Sequence, residues 1–298
     1  MRRKVYYLLC FFIWAVIFLF TITPKGPGVV ERKVRALESI GESIISTAPL
    51  KEYEISFSVL DLRNPQVQIS FNSCRKFPAA SLIKVPILAA ALNAVDEKKV
   101  TFSQKIIIDK NDLTGGSGVL KNLKQPQEFS FKELLELMIT KSDNTATNKV
   151  ISILGYKYLN DTFRKIGLKD TVIVRKMMDF KRRKYGIENY TSASDMASVF
   201  RKIYNQRLIN KEFSQIALSF LKKQKVNDRL PLYLPKNVNI AHKTGLEKEV
   251  VHDAGIIFTR NGDYFICVLT HGVKDYSQAK KFIAKIALLI YNFYDNFE

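Results

Sequence analysis

The chain has 298 residues, of which 47% are hydrophobic and 25% are charged, and its formal net charge is +19 at neutral pH. This length and composition exclude a wholly disordered chain and allow one large or two small folded domains. Three cysteines in a chain of this length also exclude a small disulfide-stapled scaffold.

The N-terminal residues differ in composition from the rest of the chain. Arg2, Arg3 and Lys4 precede an apolar run, residues 5–22, which at about 1.5 Å per residue just spans a bilayer core. We therefore predict a cytoplasmic stub and transmembrane anchor over 1–25 and an extracytoplasmic catalytic domain over 26–298. A cleaved signal peptide, which would release the protein by secretion, is the alternative, although no small-x-small site follows the run.

The basic charge predicts an anionic partner. Since the folded part is predicted to lie outside the membrane, we expect an anionic wall polymer or membrane surface and no nucleic acid. The densest basic run, residues 181–184, is interpreted as a solvated loop in preference to a docking site. A monomer is expected. Cys74 and Cys267 could form a disulfide, but the apolar strand pattern around Cys267 favours a buried free thiol.

The first elements after the anchor are predicted to be a helix and a hairpin. Apolar residues recur at helical spacing over 30–46, and alternating patterns over 55–59 and 67–71 predict two strands joined by a turn. A further helix is predicted to begin near Ser81 and to include the alanine-rich run 85–95.

The middle of the chain is predicted to be helical. A capping box at 130–133 opens one helix, and the helical patterns that follow cover 145–154, 156–166, 192–203 and 213–224. The glycine-rich stretch 114–118 lacks the Gly-Lys-Ser/Thr of a phosphate-binding loop and is interpreted as a mobile loop.

The C-terminal part is predicted to be β and then α. Strands are indicated over 238–243, 254–259 and 264–270, and a helix begins near Ser277. Because strand patterns occur at both chain ends, we predict an α+β fold with one antiparallel sheet built from both ends. Helices flank this sheet, and an all-α lobe, about 75–225, is inserted with a cleft between the lobes.

Three short motifs combine hydroxyl, amine and amide groups. Ser81 and Lys84 lie one helical turn apart, so a lysine with a lowered pKa can deprotonate the serine. The others are Ser142-Asp143-Asn144, between two predicted helices, and Lys243-Thr244-Gly245, at a strand end. Each motif is weak alone. Together and in this order they resemble the signature of the penicillin-recognising serine enzymes, the class A β-lactamases and penicillin-binding proteins.

The resemblance extends from about Val30 to the C-terminus and implies a β-lactamase/transpeptidase-like fold. It implies a serine hydrolase that opens the β-lactam ring through an acyl-enzyme, an activity that confers antibiotic resistance. The implied catalytic residues are the nucleophile, its base, a proton relay and the electrostatic partner of that relay: Ser81, Lys84, Ser142 and Lys243.

The resemblance also implies an oxyanion hole and a set of substrate contacts. The oxyanion hole would use the backbone N–H groups of Ser81 and Leu246. The implied substrate-binding residues are Asn144, Thr244, Gly245 and Arg229. No metal or organic cofactor is implied, since the histidines His242, His252 and His271 are too scattered for a zinc site.

The chain departs from class A β-lactamases at the loop glutamate that activates water for deacylation. By spacing, this glutamate should lie within 175–179, where Met177 and Met178 stand instead. Glu188 is a candidate base only if the loop folds differently. Without this base, Lys84 can still promote acylation, but deacylation of a β-lactam is expected to be slow.

Two alternative functions remain open. The missing glutamate favours a D-Ala-D-Ala carboxypeptidase or related peptidoglycan peptide hydrolase, because the leaving group of a peptide departs and water can enter. A non-enzymatic penicillin-binding sensor is the second alternative, and it is disfavoured because only residues 1–4 would lie in the cytoplasm.

Overall fold

The computed structural model describes residues 28–297. The predicted anchor lies outside these residues, so the structure does not bear on it. Within 28–297, no helix combines the length and hydropathy needed to cross a membrane. The anchor and the domain boundary at 25/26 stay predictions.

An antiparallel sheet of five strands lies at the centre of the described part, in the order β2-β1-β9-β8-β7. Strand β1 pairs with β9 from Glu54–His271 to Asp61–Tyr264, so both chain ends contribute to one sheet, as predicted. The strands are β1 (Glu54–Asp61), β2 (Gln68–Phe71), β3 (Phe77–Pro78), β4 (Lys105–Ile108), β5 (Gln127–Ser130), β6 (Tyr190–Thr191), β7 (Asn239–Glu247), β8 (Val250–Phe258) and β9 (Tyr264–His271).

Helices cover both faces of this sheet, and the predicted α+β class is confirmed. The first and last helices pack on one face, and the remaining helices lie on the other. The helices are α1 (Val29–Thr47), α2 (Lys84–Asp96), α3 (Phe131–Thr140), α4 (Asn144–Lys165), α5 (Phe180–Lys184), α6 (Ala193–Tyr204), α7 (Lys211–Lys222) and α8 (Tyr276–Asn296).

The alternation of side chains along the strands builds two hydrophobic cores. Val59 and Ile266 face α1 and α8, whereas Leu60 and Phe265 face the helical lobe. Successive residues of a strand point to opposite faces, so a sheet covered on both sides must be apolar at both sets of positions. This second core supports the elements that carry the three motifs.

The two helices predicted over 145–154 and 156–166 are confirmed: both lie within α4 and are separated at Gly155, whose φ of 76° and ψ of 151° are not helical. Two other local features differ from the sequence-based expectations. Residues 181–184, interpreted from the sequence as a solvated loop, belong to the short helix α5, Phe180–Lys184. The Ser81 helix begins with a 3₁₀ turn, Ala80–Ile83, before α2.

The cysteines outside the predicted anchor do not pair. Cys74 is exposed and Cys267 is buried, and both thiols are free. Burial raises the pKa of the Cys267 thiol well above its ordinary value, so the thiol stays protonated and inert. The buried free thiol predicted for Cys267 is confirmed, and the disulfide alternative is wrong.

Candidate active site

Ser81 lies in the 3₁₀ turn between β3 and α2, at the bottom of a cleft between the two lobes. Its side chain is mostly buried, with 8% of its surface exposed. The preceding residue, Ala80, has a φ of 44°. A non-glycine residue in this region carries backbone strain, which persists only where the surroundings fix it. The strained turn places the serine hydroxyl at the base of the cleft.

Lys84 is the first residue of α2 and is completely buried. Its Nζ donates to the Ser142 carbonyl oxygen at 2.7 Å, to Ser142 Oγ at 3.2 Å and to Asn144 Oδ1 at 2.8 Å. Burial, reinforced by the nearby positive charge of Lys243, holds its pKa well below the ordinary lysine value, while Asp143 opposes this shift. A larger fraction of this amine is therefore neutral, and free to accept a proton, at neutral pH than of an exposed lysine.

Ser142 lies between the two buried lysines. Its Oγ is 3.2 Å from Lys84 Nζ and 3.0 Å from Lys243 Nζ. The φ of Ser142 is 51°, so this serine too is held in the left-handed region, where non-glycine residues are uncommon. Three of the predicted catalytic side chains, Lys84, Ser142 and Lys243, therefore form one hydrogen-bonded chain.

Lys243 projects from β7 and is also completely buried. Its Nζ donates to the Thr244 carbonyl oxygen at 2.8 Å as well as to Ser142. Burial lowers its pKa to about 7, with Asp253 opposing and Arg229 reinforcing the shift. The charge on this amine consequently changes near neutral pH.

The glycine-rich stretch 114–118, interpreted from sequence as a mobile loop, is bonded to the second motif. Asn144 Nδ2 donates to the Gly115 carbonyl oxygen at 2.9 Å, and Asn144 N donates to the Ser117 carbonyl oxygen at 3.1 Å. A Cβ on Gly118 would lie 2.2 Å from Asp143 Oδ2. Only glycine allows this approach, and Asp143 uses it to accept bonds from the next backbone N–H groups.

The cleft above Ser81 has a volume of about 380 Å³ and a mixed lining. Ser81, Asn144 and Leu246 line it, so three of the predicted site residues meet there. Its lining also includes apolar and aromatic side chains: Met177, Met178, Phe180, Leu246 and Tyr276. Glu247 and Lys248 line it too, so a substrate in the cleft contacts both polar and apolar groups.

Gly245 lets β7 pass close to the Ser81 turn. A Cβ at this position would lie 3.1 Å from the His252 Cβ and 3.4 Å from the Ala80 Cβ. Strand β7 is also at the edge of the sheet. Its unpaired edge leaves backbone groups available to an extended ligand.

Arg229 is placed differently from the carboxylate contact that the resemblance implies. Its guanidinium is 1% exposed and its Nη1 lies 3.1 Å from Asp228 Oδ1. Arg229 is not part of the cleft lining, whereas it lies close enough to Lys243 to lower the pKa of that amine. Its placement indicates an electrostatic influence on Lys243. Thr244, which follows Lys243 in the third motif, is also buried.

Glu188 does not occupy the position of a water-activating base. Its Oε1 accepts from Arg175 Nε at 2.8 Å, and Arg183 Nε lies 3.3 Å from its Oε2. It does not line the cleft. Burial raises its pKa, although Arg175 opposes this shift. Both carboxylate oxygens are contacted by arginines, which does not favour Glu188 as a deacylation base, and that role stays a prediction.

Met177 occupies the position where the glutamate was expected. The side chain of Asn148 bonds its backbone, and both Met177 and Met178 line the cleft. A methionine side chain has no group that can accept a proton from water. The wall of the cleft nearest this loop is therefore apolar.

Two of the three histidines, His242 and His252, are engaged in structural hydrogen bonds. His252 Nε2 lies 2.8 Å from the Pro78 carbonyl oxygen, and its Nδ1 accepts from Thr270 N at 3.0 Å. Burial lowers the pKa of His252 to about 4, so it is neutral at physiological pH. His242 Nδ1 lies 3.0 Å from Asp253 Oδ1. Among residues 28–297, no group of histidine, cysteine and carboxylate side chains is arranged to hold a metal.

Two features of the site were missed from the sequence. Asn148 lies one helical turn after Asn144, and this spacing could have indicated a second amide on the same face of α4. Arg175 donates from Nη2 to Glu247 Oε1 at 2.7 Å, which joins the loop to the end of β7. No local sequence pattern predicts this ion pair, because its two residues are 72 positions apart.

Comparisons with known proteins agree with this geometry. The family model described as "Beta-lactamase enzyme family" matches residues 37–294. "Beta-lactamase VEB-1" of Pseudomonas aeruginosa is 26% identical over 269 residues, which cover 80% of this chain and 89% of that protein. "Beta-lactamase BRO-1" of Moraxella catarrhalis is 31% identical over 195 residues, 64% of this chain and 62% of that protein.

Solved structures with the same fold cover most of the chain. A β-lactamase from Sphaerobacter thermophilus aligns with a TM-score of 0.78 at 27% identity, over 86% of this chain and 96% of its own. PBP-A aligns with a TM-score of 0.77 at 30% identity, over 86% of this chain and 94% of its own. A mutant of PBP-A that was solved as an acyl-enzyme complex with penicillin G aligns with a TM-score of 0.77 at 29% identity, over 86% and 94%.

Proposed function

The chain belongs to the beta-lactamase enzyme family, and we propose that it acts through a Ser81 acyl-enzyme that is released slowly. It is a class A β-lactamase-like serine hydrolase that acts on β-lactams. The observation that carries the proposed mechanism is the hydrogen-bonded chain from Lys84 through Ser142 to Lys243 at the base of the cleft.

Acylation begins when Ser81 Oγ attacks the carbonyl carbon of the lactam. The Ser81 proton passes to the neutral amine of Lys84, directly or through one water, since the lowered pKa of Lys84 favours the neutral form. The backbone N–H groups of Ser81 and Leu246 stabilise the oxyanion, and each such donor typically contributes about 10²–10³ in rate.

Ring opening requires a proton on the departing nitrogen. The C–N bond breaks, and Ser142 Oγ gives its proton to this nitrogen while it recovers a proton from Lys243 or Lys84. Both amines lie within 3.2 Å of that oxygen. Lys243 also attracts the anionic substrate. Asn144, Thr244 and Gly245 orient the substrate, and the implied contact of Arg229 would act through its charge.

Deacylation needs a base that activates water, and the cleft wall offers Met177 and Met178 instead. We infer that the ester to Ser81 persists longer than in enzymes with a loop glutamate. General acid–base groups typically contribute about 10²–10⁴ in rate, so this is the order of the expected slowing.

A D-Ala-D-Ala carboxypeptidase or peptidoglycan peptide hydrolase is the second candidate. The apolar wall formed by Met177 and Met178 favours it, because a peptide leaving group departs from the cleft and makes room for water. A ring-opened β-lactam stays attached and continues to occupy that space. A non-enzymatic sensor would share the slow deacylation but would show no turnover of any peptide.

The extracytoplasmic location with an N-terminal membrane anchor also remains a proposal. It is supported by the apolar run 5–22 and the basic residues that precede it. Fractionation of the full chain tests it, since a membrane-bound form extracted only by detergent is expected. A soluble, shortened form would indicate the cleaved signal peptide.

Intact-mass spectrometry of residues 26–298 after addition of benzylpenicillin tests the proposed mechanism. We expect an adduct of one penicillin per protein. Its lifetime should be many times the turnover time of a β-lactamase that has the loop glutamate. Ser81→Ala should abolish the adduct without unfolding the protein, whereas Ser117→Ala, which changes another serine of the cleft, should retain it. Labelling of the Ser81→Ala protein would refute Ser81 as the nucleophile. An adduct that clears within seconds would refute slow deacylation.

A further inference from the structure

A basic and aromatic surface lies beside the mouth of the cleft, on and around α5. Phe180 and Tyr185 are 50% and 74% exposed, although large aromatic side chains usually bury most of their area. The cationic side chains around them are also exposed. We call this set the α5 surface: Lys176, Phe180, Lys181, Arg182, Lys184 and Tyr185.

The four cations of the α5 surface have no carboxylate partner. The nearby carboxylates of Glu188 and Glu247 are occupied by Arg175 and Arg183. No salt bridge within residues 28–297 includes any cation of the α5 surface. Asp179, the carboxylate within this segment, caps α5 by accepting from Arg182 N at 3.0 Å and offsets only part of the charge. The four positive charges within nine residues still repel one another, and an anionic ligand would relieve this repulsion.

Arg183 fixes the α5 surface to the sheet. Its Nη2 donates to the Lys248 carbonyl oxygen at 3.0 Å, and its Nε lies 3.3 Å from Glu188 Oε2. Arg183 therefore points inward, whereas its neighbours Lys181, Arg182 and Lys184 are exposed. A surface that is already held in place loses less conformational entropy when a ligand binds.

The α5 surface lies at the opposite end of the sheet from the start of α1. Lys33 of α1 contacts Asp61, beside the β8–β9 turn, whereas Arg183 contacts Lys248 in the β7–β8 turn. Strand β8 has nine residues and separates these turns by about 26 Å at ~3.3 Å per residue. The α5 surface therefore lies about 26 Å from the end of the sheet where the described part of the chain begins.

We propose that the α5 surface binds an anionic glycan polymer of the cell envelope. The phosphate or carboxylate groups of the polymer pair with the four cations, and its sugar rings place their apolar C–H faces on Phe180 and Tyr185. Because Phe180 also lines the cleft, a bound polymer holds the catalytic domain within the wall with the cleft next to the glycan. Polymer binding needs no acyl-enzyme step, so it does not depend on the proposed mechanism, but it rests on the extracytoplasmic location proposed above.

Two variants with equal loss of charge test this proposal. The first is Lys181→Gln/Arg182→Gln/Lys184→Gln. The control is Arg201→Gln/Lys202→Gln/Arg207→Gln, whose cations line a separate cleft of about 430 Å³. Binding to a phosphorylated dextran is measured by calorimetry or biolayer interferometry without β-lactam. We expect the first variant to weaken binding by about tenfold or more and to reduce its salt dependence, and the control by less than about twofold.

The aromatic contribution is tested with Tyr185→Ser. This change should weaken binding to phosphorylated dextran several-fold and leave binding to inorganic polyphosphate unchanged, because only the dextran has sugar rings. All variants should acylate Ser81 with benzylpenicillin at the wild-type rate, which establishes that they are folded.

Three outcomes would overturn the proposal. Equal losses in both triple variants would mean that net charge alone drives binding. If Tyr185→Ser weakened binding to the dextran and to the polyphosphate equally, Tyr185 would not contact the sugar rings. Binding to phosphatidylglycerol vesicles that depends on the α5 surface, with no binding to the dextran, would identify a membrane as the partner.

Discussion

The side-chain amide of Asn148 bonds both backbone groups of Met177. Its Nδ2 donates to the Met177 carbonyl oxygen at 3.1 Å, and its Oδ1 accepts from Met177 N–H at 2.7 Å. Since α4 also carries Asn144 on the same face, this pair of bonds holds residue 177 beside the cleft whatever its side chain is.

Met177→Glu should therefore create a water-activating carboxylate without rebuilding the loop. We expect the acyl-enzyme formed with benzylpenicillin to clear about 100-fold faster, because a positioned general base typically contributes about 10²–10⁴. Intact-mass spectrometry over time measures this rate. Met178→Glu is the matched control and should have a smaller effect, since residue 178 lacks the bonds to Asn148. An unchanged adduct lifetime in Met177→Glu would show that the missing glutamate is not what limits deacylation.

The rate of acylation should depend on pH through both buried lysines. Neutral Lys84 accepts the Ser81 proton, so the rate should rise with pH as Lys84 loses its proton. Lys243 has a pKa lowered to about 7 by burial, so above this pH it loses the charge that attracts a substrate carboxylate. The second-order rate constant for benzylpenicillin should therefore decline above about pH 7.

The methyl ester of benzylpenicillin is the control for this pH profile. The ester has no carboxylate, so its acylation rate should rise with pH and then stay level. Stopped-flow measurement of both compounds gives the comparison. The same decline for acid and ester would mean that Lys243 does not act by attracting the substrate charge.

Lys243 should also make stability depend on pH. Its pKa in the folded protein, about 7, lies below the value of about 10.4 for an unfolded lysine. Between these values the unfolded chain binds more protons, so the free energy of unfolding rises with pH. From pH 7 to pH 9 this group should add about 2 kcal/mol. Urea titrations at both pH values should show that Lys243→Met removes this increment. Lys211→Met, at an exposed position, should keep it.

Arg175 should contribute strongly to stability. Its guanidinium is 2% exposed and bonds both Glu188 and Glu247. Arg175→Met would leave the buried Glu188 and the partly buried Glu247 with only the longer contacts to Arg183, at 3.3 and 3.5 Å. We expect the free energy of unfolding to fall by about 3 kcal/mol, the lower end for a broken buried ion pair. Arg164→Met is the control, because Arg164 is 69% exposed in its pair with Asp161 and such a pair contributes about 1 kcal/mol or less. Similar losses in both variants would contradict a buried network.

The sequence by itself determined the fold class and the family. Alternating patterns near Phe57 and Ile266 and helical spacing between them predicted one antiparallel sheet from both chain ends, because burial of one face of each element is a local requirement. The motif residues Ser81, Ser142 and Lys243 identified the family for a similar reason. Each belongs to a motif of three or four residues, which can be recognised without knowledge of the fold.

Only the tertiary structure decided which charged groups meet. Glu188 was a candidate base only if the loop folded differently from the spacing of the family, and in the structure Arg175 bonds its carboxylate. Arg229 was a candidate for contact with the substrate, but burial placed it outside the cleft lining. The basic run after Phe180 became a helix fixed at the cleft mouth. These outcomes depend on contacts between residues far apart in sequence, and the electrostatic energy of a charge is set by those contacts and by its burial.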